Sequence, residues 1–278
     1  MAPAHRQDPV PQCACASLEA VETAREAFDL HLKRRLQEAS ETYTEALQLA
    51  HPRDANESEK AQILRFAPRL FVTPKEPFAL KDAAAILHPS GAWIAYHLFW
   101  EDDIDFPDDN DPSDHEVIWV KLDQGRTAVA GVYTYFHGRI VQAPAPESPR
   151  PRIAVQWGKH GSMPWDWKGI PIEADESDAR QTNGHPFTLE DYNRITWQKL
   201  SSIGRDSQGS PLGKGWPFKF DGKWEDFTRF VRPVDPVELL RKRGYIKVSC
   251  LNGAVINRHF LRYNFAAKTE WPQDLCSR

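Results

Sequence analysis

The sequence predicts a mainly β protein, an antiparallel β-sandwich with an N-terminal helical hairpin and a long loop/helix insertion. From residue 68 onward, short runs rich in Val, Ile, Tyr, Phe and Trp alternate with segments rich in Gly, Pro and Asp. The chain shows no regular strand–helix alternation and no glycine-rich phosphate loop, which argues against a parallel α/β fold. Its 278 residues, 41% of them hydrophobic, are enough to bury a core.

The first 66 residues divide into a tail and a helical extension. Residues 1–16 are predicted to be a disordered tail. From Ser17 to about Ala50, apolar residues recur every three or four positions, which predicts a helix with Ser17 as its N-cap. The apolar stripe consists of Leu18, Val21, Ala24, Phe28, Leu32 and Leu36. A break follows at 51–58, and a short second helix covers about 59–66. We expect residues 17–66 to pack as a helical hairpin on a β-sandwich domain of residues 67–278.

The strands of the main domain are predicted from short β-branched and aromatic runs. They are RLFVT, AWIAYHLFW, EVIWVKLD, AVAGVYTYFHG, RIAVQWG, YIKVSCLNG and HFLRYNF. Residues 166–240 are long and irregular, with short helices predicted near 188–202 and 234–243. We interpret this stretch as a decoration that covers one end of the sandwich.

Charge and composition limit the classes of partner and the cellular locations that we expect. The net charge of −4 and a pI near 6.2 leave no global basic field, so we expect no nucleic-acid partner. We expect no transmembrane segment, because no apolar run approaches roughly 18 to 20 residues. The N-terminus as given has no apolar h-region, so a cytoplasmic protein and a secreted one with its signal removed both stay open. For an exported protein, a Cys250–Cys276 disulfide is one expectation, and free thiols are an equal alternative.

An acidic loop opens directly into a predicted strand in the stretch DPSDHEVIWVKLD. On a strand, Asp114 and Glu116 point to one face and His115 to the other. Three further histidines, His97, His137 and His160, lie in or at the ends of hydrophobic runs. Neighbouring strands would bring such positions to within about 5 Å if the registers match. Converging His and carboxylate side chains would make a divalent-metal site.

The predicted site is therefore a metal centre with an adjacent acid–base group. The predicted metal ligands are His97, Asp114, Glu116, His137 and His160. The predicted catalytic residues are Glu116 and His115. Alternatives stay open for the histidines: His97 is also expected as a hydrogen-bonded core residue, and His137 and His160, each close to a Gly, also suit turns. The expected cofactor is a divalent cation, Zn, Fe or Mn.

The acidic loop itself offers a second cation site. Residues 101–114 carry eight carboxylates in fourteen residues. Hard cations such as calcium prefer oxygen ligands, which makes calcium binding at 101–114 one interpretation. A solvated acidic loop is the other, because the spacing does not match an EF-hand.

Several segments, taken in order, resemble two related families. RFAPRLFVTPKEPF, IAYHLFWEDD, DHEVIWV, YFHG and AVQWGKHGSMP resemble successive motifs of the vacuolar protein sorting-associated protein 62 family. DHEVIWV and GKGWPFKFDGKWEDF resemble segments of the necrosis-inducing (NLP) cytolysins. The resemblance covers about residues 62–230 and implies a single β-sandwich, with a divalent cation near Asp114 and Glu116. It also implies that His137 and His160 match the histidines of two family motifs. His115 stands where the cytolysins have Trp.

Three functions follow from these observations. The first is a divalent-metal-dependent enzyme that acts on a small molecule in an aromatic-lined cleft. Zn would favour hydrolysis or elimination, and Fe or Mn would suit oxygen chemistry. The second is an NLP-like protein that binds membranes or glycans through exposed Trp side chains, including Trp165 and Trp167. The third is a structural or interaction module without enzymatic activity. The sequence leaves the oligomeric state open.

Overall fold

A computed structural model describes residues 15–101, 103, 113–173, 185–202, 228–260, 268 and 270–272. In this part of the chain, two β-sheets of seven and four strands share one apolar core, and six helices accompany them. The predicted sandwich is confirmed. No helix among these residues combines the length and the apolar character that crossing a membrane requires.

The elements follow one another along the chain as expected for a strand-rich domain with a helical front. The helices are α1 (Leu18–Leu32), α2 (Leu36–Leu49), α3 (Glu57–Phe66), α4 (Leu189–Ser202), α5 (Val237–Arg243) and α6 (Asn252–Phe260). The strands are β1 (Arg53–Asp54), β2 (Arg69–Val72), β3 (Leu80–Leu87), β4 (Trp93–Trp100), β5 (Asp114–Leu122), β6 (Val129–Phe136), β7 (Arg139–Pro144), β8 (Arg152–Val155), β9 (Ser162–Pro164), β10 (Arg232–Val234) and β11 (Ile246–Val248).

The larger sheet has seven strands in the order β1-β11-β3-β4-β5-β6-β7, and the smaller has four in the order β10-β2-β8-β9. Most neighbours are antiparallel, as predicted. Two pairs, β11 with β3 and β2 with β8, are parallel. Both join distant parts of the chain, so neither is a hairpin that local sequence could have indicated.

The main core lies between the two sheets. Tyr96 on β4, Ile118 on β5 and Ile153 on β8 all belong to it. A second apolar cluster, which includes Val117 and Phe260, covers the opposite face of the large sheet. The large sheet is therefore buried on both faces, which explains why β4 reads as a continuous apolar run rather than an alternating one.

The helical front differs from the prediction of one helix to about Ala50. The chain turns back at Arg34, whose φ is 58°, so that α1 and α2 form the hairpin. Small residues such as Ala24 and Ala46 form the buried contact, which lets the two helices approach closely. Leu32, expected on the buried stripe, is instead 53% exposed. The N-cap at Ser17 is confirmed, since its hydroxyl accepts a hydrogen bond from the backbone of α1.

Three further expectations are corrected. Cys250 forms a disulfide with Cys15, so it does not pair with Cys276. This bond also anchors the end of the predicted tail, of which residues 1–14 lie outside the described part.

The run HFLRYNF does not begin as a strand, because His259 and Phe260 end α6; its other residues are not described. β3 and β7 were not predicted, the first because its alanines are poor strand formers.

Candidate functional site

The two faces of β5 separate the predicted site residues. Ile118 packs between the sheets, so Asp114 and Glu116, four and two positions away, point to that same side. His115 points to the opposite face, which Val117 shares and α6 covers. The structure thus places the acidic pair together and His115 away from it, as strand alternation predicts.

The pairing between β5 and β6 ends before the acidic pair. Its last matched residues in this direction are Ile118 and Thr134. On the other side, β5 stays paired with β4 as far as Asp114, which lies opposite Trp100. The β6-facing side of Glu116 therefore lies outside the regular ladder, and side chains from other parts of the chain reach it there.

Glu116 is a buried carboxyl beside a lysine. It is 4% exposed, and its Oε1 lies 3.6 Å from Nζ of Lys268. Its Oε2 has no hydrogen-bond partner among the described residues. Burial raises the pKa of Glu116 from its ordinary 4.5 to about 8, although Lys268 opposes the rise. Burial would lower the pKa of Lys268, but the charges of Glu116 and Asp114 outweigh burial and raise it.

His160 is held between two carboxylates. Its Nδ1 lies 2.9 Å from Oδ2 of Asp114, and its Nε2 lies 3.1 Å from Oε1 of Glu76. The ring of Trp100 stacks on it at 4.3 Å. Burial by itself lowers the pKa of His160, but the charge of Glu76 and the hydrogen bonds to both carboxylates raise it to about 10. His160 is therefore an imidazolium whose two N–H groups both donate to carboxylates.

Glu76 is a site residue that residue-by-residue reasoning missed. Besides His160, its carboxylate accepts hydrogen bonds from the backbone N–H groups of Phe78 and Gly158. It therefore connects the segment after β2 to the turn before β9. The glutamate stands within RFAPRLFVTPKEPF, the first motif of the family resemblance, so a signal for it was present. Lys268 has no comparable signal in the sequence.

One more ion pair lies beside His160. Lys159 donates a hydrogen bond to Asp103, and both side chains are largely buried, at 14% and 13% exposure. Asp103 belongs to the acidic segment 101–114, of which residues 102 and 104–112 are outside the described part. The predicted calcium site falls mostly on those residues and stays a prediction.

His137 belongs to a separate hydrogen-bonded chain. It sits at the end of β6 with a φ of 45°, and its Nε2 lies 2.6 Å from Oε1 of Gln156. The amide of Gln156 in turn donates to Asn193 of α4, and Tyr192 stacks on the His137 ring at 5.1 Å. Burial lowers the pKa of His137 to about 4, so the ring is neutral and Nε2–H is the donor.

His97 and His115 form a pair on the other face of the sheet. Nδ1 of His97 lies 3.0 Å from Nε2 of His115, and Nε2 of His97 lies 2.7 Å from Oδ1 of Asn252 at the start of α6. Burial lowers the pKa of His97 to about 4, and that of His115 lies well below its ordinary value for the same reason. The structure does not bring this pair together with Glu116.

These positions do not fit the predicted centre of five ligands. His160 has no free ring nitrogen, and Nε2 of His137 is a donor to an amide. In the part of the chain that the structure describes, no three His, Cys, Asp or Glu side chains form a group that could hold a metal ion. Asp114 and Glu116 remain on one face with the ammonium of Lys268 beside them. The metal itself stays a prediction.

Comparison with known proteins gives one distant likeness. No family model matches the chain, the vacuolar protein sorting-associated protein 62 family included, and no curated protein matches it. Among solved structures, it is similar to the crystal structure of Necrosis and Ethylene inducing Protein 2 from the causal agent of cocoa's Witches Broom disease. The identity is 13% and the TM-score is 0.30, with 60% of this chain and 89% of that chain covered.

Proposed function

We propose that the protein is an enzyme that performs acid–base chemistry on a small molecule where β5 begins, with Glu116 as the group that gives and takes the proton. One observation carries the proposal: Glu116 is buried with one unpaired oxygen, and its pKa is raised to about 8. A carboxyl that titrates near neutral pH is available in both its acidic and its basic form. Such perturbed groups cluster at functional sites, because burying them opposes folding.

Two charged neighbours of Glu116 shift its pKa in opposite directions. Asp114 raises the pKa of Glu116, whereas the positive charge of His160 lowers it. Because the pKa of His160 is about 10, this residue keeps its proton throughout the neutral range. We assign His160 a positioning role: it holds Asp114 in place and keeps a fixed charge close to Glu116.

Hydrolysis and elimination, two of the reaction classes expected from the sequence, fit this role. Hydrolysis begins with removal of a proton from water, and elimination begins with removal of a proton from carbon. Glu116 in its ionised form is a base for either step. His115 is not part of the proposal, since it lies on the opposite face of β5. This assignment does not involve the divalent cation expected from the sequence.

An untargeted conversion assay tests the proposal. Purified protein is incubated with a small-molecule extract, and compounds that disappear or form are followed by mass spectrometry. We expect the wild type to convert a compound that Glu116→Gln leaves unchanged. Glu147→Gln is the matched control, because Glu147 is an exposed carboxylate on the same chain.

Conversion that survives in Glu116→Gln would contradict the assignment of Glu116. A wild-type protein that converts no compound, but releases dye from liposomes, would favour the membrane-binding function instead. Among the Trp residues expected at its loop tips, Trp167 is only 3% exposed, which does not favour that alternative.

A further inference from the structure

Lys268 occupies the place beside the acidic pair where the family resemblance implies a divalent cation. Its ammonium lies 3.6 Å from Oε1 of Glu116 and 4.7 Å from the ring centre of Tyr135. The lysine side chain is 15% exposed and that of Glu116 is 5% exposed, so the contact is shielded from water. The charge of Asp114 also acts on this ammonium. The Glu116 carboxyl and an aromatic face thus lie directly beside this positive charge.

Two anchors place Lys268 at this position. The carboxylate of Glu270 accepts hydrogen bonds from the backbone N–H groups of Gly253, at 2.7 Å, and Ala254, at 2.8 Å. These groups are at the N-terminus of α6, where a negative charge is favoured. Trp271 donates from Nε1 to the carbonyl of Cys250 at 2.9 Å and is 8% exposed. The segment that carries Lys268 is therefore anchored two and three residues further along the chain.

A divalent cation could bind the acidic pair only by displacing this ammonium. Two positive charges a few ångströms apart repel strongly when both are shielded from water. The histidines cannot compensate, because His160 uses both ring N–H groups on carboxylates and is itself positively charged. The side chains around the acidic pair are therefore those of a site that already contains a cation, the ammonium of Lys268.

We propose that Lys268 is the resident cation of this site, and that it supplies from within the chain the positive charge that a divalent metal would otherwise supply. The site is then independent of metal. The proposal rests on Glu116 belonging to the functional site, but it concerns the charge beside Glu116 and not the reaction itself.

Metal binding by matched variants tests the proposal. Wild type, Glu116→Gln, Lys268→Gln, Lys268→Arg and the double variant Lys268→Gln/Glu116→Gln are purified, analysed for metal content, and melted with and without added Mn²⁺ or Ca²⁺. We expect the wild type and Lys268→Arg to retain no stoichiometric metal and to melt at the same temperature in chelator. Lys268→Gln should gain one equivalent of bound Mn²⁺ or Ca²⁺ and a higher melting temperature with it. The double variant should lose that gain.

Either of two results overturns the proposal. One is a wild type that holds an equivalent of metal which Glu116→Gln loses. The other is a Lys268→Gln variant that folds and is as insensitive to both cations as the wild type. Should Lys268→Gln not fold, the metal content of the wild type still decides. Metal stoichiometry does not depend on turnover. If Lys268 is not the resident cation, the proposed acid–base function of Glu116 is unaffected. If the protein converts no compound, the metal measurement still tests the role of Lys268.

Discussion

Replacing Glu116 by Gln should stabilise the protein, and the gain should grow with pH. The folded protein holds the Glu116 proton more tightly than the unfolded chain, since burial raises the pKa from 4.5 to about 8. Stability is therefore unaffected by this group below pH 4.5 and declines as the pH rises towards 8. One pH unit corresponds to about 1.4 kcal/mol, so the full loss is about 5 kcal/mol and the loss at pH 7 is about 3 kcal/mol.

Gln cannot ionise, so the variant does not suffer this loss. Urea denaturation of wild type and Glu116→Gln at several pH values measures the difference in unfolding free energy. The difference should rise by about 1.4 kcal/mol per pH unit up to about pH 8 and be constant above it. Glu147→Gln is the control, and its curve should run parallel to that of the wild type.

A difference that does not change with pH would refute the reasoning, because Glu116 would then titrate alike in both states. A Glu116→Gln variant that is less stable at every pH would point to a bound cation. In that case, the carboxylate would be a ligand whose loss removes the stabilisation that metal binding provides.

The remaining predictions concern packing and cross-linking. His160→Ala should lower the free energy of unfolding by about 3 to 5 kcal/mol, because it leaves two shielded carboxylates facing each other; thermal melting measures this. Gly161→Ala should destabilise by about 1 to 3 kcal/mol, since its Cβ would lie 2.9 Å from a buried phenyl ring. Gly169→Ala, whose Cβ would meet nothing within 4 Å, should have little effect. Alkylation without reduction followed by peptide mapping should find Cys15 linked to Cys250, and reductant should lower stability by about 2 to 5 kcal/mol.

Local patterns in the sequence were sufficient for the main features of the fold. Alternation along β5 placed Asp114 and Glu116 on one face and His115 on the other, because successive side chains of a strand point in opposite directions. The apolar runs identified β4 to β6, and the helix near 188–202 is present as α4. These features depend on residues close together in the chain.

Which residues lie next to Glu116 depends on contacts between distant parts of the chain, and local sequence patterns do not contain that information. All eight residues of β4 are buried, so nothing in its sequence indicated which face carries His97. The pairing of His97 with Val117 places it on the face away from Glu116. Lys268 reaches Glu116 through contacts of the C-terminal segment with α6, which no short-range pattern reports. The sequence also did not predict the turn at Arg34, because buried alanines determine how α1 and α2 pack, whereas the prediction relied on the leucine stripe.

The most direct test of the account is a titration of the glutamate carboxyl groups by ¹³C NMR, in the wild type and in Glu116→Gln. The carboxyl of Glu270 also has its pKa raised, to about 7, so the variant is needed to identify the resonance. The account predicts a carboxyl with a midpoint near pH 8 in the wild type that is missing from Glu116→Gln. If the resonance that is lost in Glu116→Gln titrates near pH 4.5 in the wild type, the account is contradicted.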